Sequence, residues 1–186
     1  MKALLAQYDR AAARAARFAP EALPLFARFT FAAVLLVYFW NSARTKLGEG
    51  LFGFLFPSDG AYIQIFPKAV EAVGYDTSQL TVFHWAVVTA GTLAELVLPL
   101  LLLIGLFTRL ASVGMIGFIL VQSLTDIWGH GVGGDDLGRW FDAASGALIL
   151  DQRLMWVAVL LVLTFLGAGR FSLDSLLAGR RIPQIS

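Results

Sequence analysis

Two apolar runs, Val82–Ile104 and 110–126, are separated only by Gly105-Leu-Phe-Thr-Arg109, and they restrict what this chain can become. At about 1.5 Å of helical rise per residue, runs of this length suit the roughly 30 Å hydrocarbon core of a bilayer. The five-residue link brings the second run back beside the first as an antiparallel hairpin. Two more apolar segments, about 25–43 and 154–169, flank this hairpin and make four predicted spans. The excess of apolar residues lies in these runs: the chain is 58% hydrophobic and 15% charged, against about 45–50% and about 25% in soluble domains. The expected architecture is therefore all-α, an integral membrane four-helix bundle in contact with the lipid bilayer.

Composition also excludes several functions. A net charge of +1 across 186 residues argues against a nucleic-acid surface. With no cysteine, the chain cannot itself hold a disulfide relay, an iron–sulfur cluster or a thiolate metal site. The glycine-rich run 129–134 lacks the Lys-Ser/Thr ending of a phosphate loop.

Residues 1–18 do not read as a secretory leader, because Asp9, Arg10, Arg14 and Arg17 interrupt any apolar core. The three arginines fall on one helical face, while Leu4, Tyr8, Ala11, Ala15 and Phe18 fall on another. The pattern predicts an amphipathic segment over 1–24 lying on an anionic cytoplasmic leaflet, closed by Pro20 and Pro24; the alternative is a solvated helix. The spanning domain then covers 25–174, and 175–186 form a tail. Four spans place both ends of the chain on one side. Nine of the 14 Lys and Arg fall on that side, so the basic-residue bias predicts cytoplasmic termini in a bacterial inner membrane. Residues 48–80 and 127–153 become periplasmic segments that cap the bundle.

Glu95 is the strongest chemical candidate. It lies about 15 Å along its helix from the cytoplasmic end, near the midplane, where an ionised side chain costs roughly 3 kcal/mol to insert. It is expected to be protonated, or paired inside the bundle. It then acts as a proton-exchanging catalytic group or as a carboxyl that pins two helices together. His84, Val88, Gly91 and Glu95 recur at helical spacing, so His84 is expected on the same stripe. Gln122 and Asp126 form another such pair, and Asn41 and Arg44 occupy comparable depth in the first span. These five residues either line a polar funnel toward Glu95, with Arg44 pairing Asp126, or mark ordinary helix-end polarity at the headgroups. Lys46 is expected to snorkel to water. His130 with His84 is a weak pattern for haem or metal, and no metal site is assigned.

The order of these features resembles the DoxX family of small four-helix membrane proteins. The residues that carry the likeness are Arg28, Lys46, the block Ala94-Glu-Leu-Val-Leu-Pro-Leu-Leu-Leu-Leu-Ile-Gly-Leu-Phe-Thr-Arg109 and the closing Gly167-Ala-Gly-Arg-Phe-Ser-Leu-Asp174. The resemblance covers roughly residues 25–174 and implies a membrane subunit linked to redox systems, as in thiosulfate:quinone oxidoreductase-like subunits. The expected function is a subunit of a quinone-dependent oxidoreductase system, with Asn41, Arg44, His84, Gln122 and Asp126 around a quinone ring and no covalent cofactor. The alternative is a non-catalytic anchor for other subunits, for a soluble oxidoreductase or for a metal-handling or stress-response partner. A transporter is disfavoured, since no internal repeat offers alternating-access machinery.

Overall fold

A computed structural model describes residues 1–50 and 52–179. All regular structure in them is helical. In chain order the helices are α1 (Lys2–Lys46), α2 (Asp59–Ile65), α3 (Pro67–Ala72), α4 (Val82–Ile104), α5 (Thr108–Gly129), α6 (Gly134–Leu137), α7 (Leu148–Leu166) and α8 (Leu173–Leu177). Four of them, α1, α4, α5 and α7, are long and apolar enough to cross a membrane. Arg180 and Arg181, which contribute to the basic-residue bias, lie outside the described residues.

The four long helices close a ring. α1 packs on α4 and α7, and α5 packs on α4 and α7. Phe31, Leu35 and Phe39 of α1 meet Leu102, Met115 and Leu160 of the other three in a buried core. Phe39 is fully enclosed and meets Phe118 and Trp156 edge-on, with ring centres 5.9 and 6.2 Å away. The outward faces carry exposed apolar side chains such as Phe29, Val37, Val97 and Val113, which suits lipid contact.

The sequence predicts a break at Pro20 and Pro24, yet α1 runs helically through both. Each proline removes one helical hydrogen bond. Pro20 lies where the helix is exposed, so the carbonyl it frees can be hydrated. Pro24 is buried where Gly169 approaches so closely that a Cβ there would sit 3.2 Å from the proline's own Cβ. Tertiary packing overrides the local preference.

Three π turns interrupt the long helices, at Ala32–Leu36, Thr125–Gly129 and Leu148–Gln152. A π turn inserts one extra residue, which rotates the following side chains by about 100°. In α1 it precedes Ser42 and Lys46, in α5 it contains Asp126, and in α7 it ends immediately before Arg153.

At the opposite end the helices are clasped by the loop 167–174. Arg28 donates to the Leu102, Leu103, Ala168 and Phe171 carbonyls. The Asp174 carboxylate accepts from the Phe107 and Thr108 backbone N–H groups at 2.7 and 2.9 Å, capping α5. Gly105 ends α4 in the left-handed conformation at φ 68°, and a Cβ there would lie 2.6 Å from Ser172 Cβ and 2.9 Å from Arg28 Cζ. Gly105→Ala therefore meets a backbone penalty of about 1–2 kcal/mol and a steric clash together. The expected result is a lowered melting temperature, read by circular dichroism in detergent, whereas Gly131→Ala, where a Cβ meets nothing within 4 Å at φ 71°, shows the backbone penalty alone.

Candidate functional site

Lys46 and Glu95 meet inside the bundle. Both are buried, at 5% and 3% exposure, which removes nearly all water from the pair. The ammonium donates to both carboxylate oxygens, 3.1 and 3.0 Å away, and to Ser42 Oγ at 2.6 Å. Ser42 Oγ in turn donates to Glu95 Oε1 at 3.1 Å. Ser42 and Lys46 are four apart on α1 and so share a face. The three side chains form a closed hydrogen-bonded loop, the arrangement a buried ion pair needs to offset its desolvation.

A second pair stands nearby in the cavity wall. Arg153 donates to Asp126 and, at 2.9 Å, to Ser123 Oγ. Gln122 Nε2 donates to Tyr38 Oη at 3.0 Å. His130 Nε2 donates to the Gln64 carbonyl at 2.9 Å, tying the loop after α5 to α2.

Both pairs border one cavity of about 600 Å³, inside the roughly 300–1,000 Å³ range of small-molecule sites. Its polar side includes Ser42, Lys46, Glu95, Gln122, Asp126 and Arg153; its apolar side includes Ala90, Gly91 and Ala94 of α4 and Gly114 and Gly117 of α5. The small residues leave space between the helices there: a Cβ at Gly117 would meet nothing within 4 Å. Two buried polar atoms of the wall, Gln122 Oε1 and Arg153 Nε, have no hydrogen-bond partner among the described residues.

Of the residues singled out by sequence, Glu95, Gln122, Asp126 and His130 line this cavity, whereas Asn41, Arg44 and His84 do not. Asn41 and Arg44 point outward and are exposed, because Ser42 and Lys46 take the inward face of α1. The expected Arg44–Asp126 pair is replaced by Arg153–Asp126. His84 completes a capping box with Thr81 at the start of α4 and stacks edge-on against Phe66 at 4.8 Å. Its helical register with Val88 and Glu95 holds, but the first turn of α4 lies beyond the cavity. Lys46 was expected at the water surface and is instead the partner of Glu95. Ser42, Tyr38, Gln64 and Arg153 carried no sequence signal for the site beyond their polarity.

The chain matches no family model, no curated protein and no solved structure.

Proposed function

We propose that this protein is a DoxX-like membrane subunit of a quinone-linked redox system, and that the cavity holds a quinone ring. One observation carries the reading: a hydrogen-bonded Lys46–Ser42–Glu95 loop and the Arg153–Asp126 pair share the polar side of a cavity of about 600 Å³ whose other side includes Ala90, Gly91, Ala94, Gly114 and Gly117. A ring with carbonyl oxygens at its edge and an apolar body matches that division. The unpartnered Arg153 Nε and Gln122 Oε1 mark where small side-chain shifts would meet a polar ligand.

A bound quinone supplies the two-electron, two-proton chemistry. Lys46 offers a fixed positive charge and N–H donors at the cavity wall. Glu95 holds a proton or accepts one, with Ser42 bridging to the ammonium. Arg153, fixed by Asp126 and Ser123, gives a second cationic anchor. The basic-residue bias at the ends of the spans supports cytoplasmic termini in a bacterial inner membrane.

Purification in mild detergent, followed by lipid extraction, is expected to yield stoichiometric quinone. Glu95→Gln is expected to keep assembly and to lower quinone-linked turnover on the order of 100-fold or more, the usual scale for a lost general acid–base. Full turnover in that variant removes Glu95 from the chemistry. Gly117→Leu fills the open space beside the cavity and is expected to deplete bound quinone while the protein stays folded. Protein that carries no quinone but brings a second polypeptide with it favours the anchor reading instead.

A further inference from the structure

The first part of α1 lies outside the packed core of the described residues. Residues 2–18 are exposed throughout, and the packed part of the helix begins only with Pro24, Ala27 and Phe31. At about 100° per residue, Leu4, Tyr8, Ala11, Ala15 and Phe18 share one face. Leu25, Phe26 and Phe29, the outward and lipid-facing residues of the span, continue that same face. Pro20 and Pro24 lie on the opposite face, together with Ala27 and Phe31, which point into the bundle.

These positions fix a direction of bending. A proline opens a helix on its own side, through the missing N–H and the crowding of the carbonyl four residues back. Here that side faces the bundle, so a bend at Pro20 carries the arm away from the core and toward lipid. An outward-pointing apolar face that tilts outward comes to rest facing down, onto the bilayer. Glu21, next to Pro20, pairs with Arg170 of the loop after α7 at 3.0 Å, an exposed contact that marks where α1 meets the rest of the bundle.

We infer that residues 2–19 form an arm that hinges at Pro20 and lies, apolar face down, on a leaflet of anionic phospholipid. Charge selects this occupant. Lys2, Arg10, Arg14 and Arg17 stand against only Asp9 among residues 2–18. Such a surface attracts phosphate headgroups and repels a second copy of itself. The middle of the stripe is Ala11 and Ala15, too small to build a helix–helix seam with much buried area, yet able to let the arm sit close to the acyl boundary.

The absence of cysteine allows single labels to be placed on the full-length chain. Nitroxide labels at Ala11→Cys, on the apolar face, and Ala13→Cys, on the polar face, are read in nanodiscs of phosphatidylcholine alone or mixed with phosphatidylglycerol. In the anionic discs the label at 11 is expected to be shielded from a water-soluble nickel chelate and open to oxygen, with the label at 13 still facing water. Adding Arg10→Gln, Arg14→Gln and Arg17→Gln is expected to lower the docked-to-free ratio on the order of a hundredfold, at about fivefold per basic residue near an anionic surface. Equal water access at 11 and 13 in anionic discs overturns the inference. So does spin–spin broadening at 11 that disappears on dilution with unlabelled protein, which assigns the stripe to a second copy.

Discussion

Lys46→Met is expected to destabilise the bundle by about 3–5 kcal/mol, and adding Glu95→Leu is expected to return most of that loss. Among the described residues the single change removes the only cation bonded to the Glu95 carboxylate and leaves the acid at 3% exposure with Ser42 as its remaining hydrogen-bond partner. That group must then stay charged in a medium of low polarity or take up a proton, and either course draws on folding energy. Glu95→Leu alone leaves the reverse problem, an ammonium enclosed with the Ser42 hydroxyl and carbonyl. With both charges gone, two apolar side chains of similar volume fill the gap. The contrast with Arg170–Glu21 is decisive: that pair has the same 3.0 Å separation but side chains 58% and 52% exposed, so its removal is expected to cost no more than about 1 kcal/mol. A double-mutant cycle on reversible unfolding in mixed micelles measures the coupling. A Lys46→Met protein within about 1 kcal/mol of the parent would show that the pair is wet in the membrane, and the enclosed site would be lost with it. The double variant also separates stability from function, since a stable bundle without the pair is expected to lack quinone-linked turnover.

This pair shows how far the sequence could be read. The four spans were legible because a bilayer demands long apolar runs, and the hairpin at 105–109 followed from its brevity. Glu95 was legible for the same reason, as an acid in a run that tolerates few. Its partner was not. Lys46 stands near the end of its span beside Arg44, and by spacing alone both read as headgroup-level cations. The π turn at Ala32–Leu36 changes which of them faces inward, and such turns leave no periodicity that one sequence reveals. Arg153 escaped notice for a related reason: Leu148–Gln152, read as the end of a loop, is the first turn of α7 and carries the arginine onto the cavity wall. His84 failed in the other direction. Spacing placed it in line with Glu95, but its place in the first turn of α4 makes it a cap, and the end of a helix has its own hydrogen-bonding needs.

Arg28→Gln is the second large effect, expected at about 2–4 kcal/mol, from the joint loss of four charge-assisted hydrogen bonds, of which those to Leu102 and Ala168 are half-buried and those to Leu103 and Phe171 exposed, so that each counts for less than the roughly 1.5–3 kcal/mol of an enclosed one. The guanidinium reaches two groups of carbonyls with one planar fork. Nε and one terminal nitrogen bind Leu102 and Leu103 at 3.1 and 2.6 Å, in the last turn of α4; the other nitrogen binds Ala168 and Phe171 in the loop after α7. The last carbonyls of a helix have no partner within it and carry the negative end of its dipole, so a cation there satisfies both. Glutamine lacks the charge and the reach to serve α4 and the loop at once. Lysine keeps the charge but not the fork, and Arg28→Lys is expected to recover only part of the loss. Asp174→Asn tests the same clasp from the other side: it halves the acceptors offered to the Phe107 and Thr108 N–H groups and is expected to cost about 1 kcal/mol. The residues of the Gly167–Asp174 block that touch Arg28 and α5 thus act as a structural clasp, at the opposite end of the bundle from Lys46. Arg28→Gln should accordingly lower the unfolding midpoint while leaving the quinone content of the folded fraction unchanged. A variant that loses quinone in proportion to its stability would instead show that the clasp sets the shape of the cavity through α1 and α4.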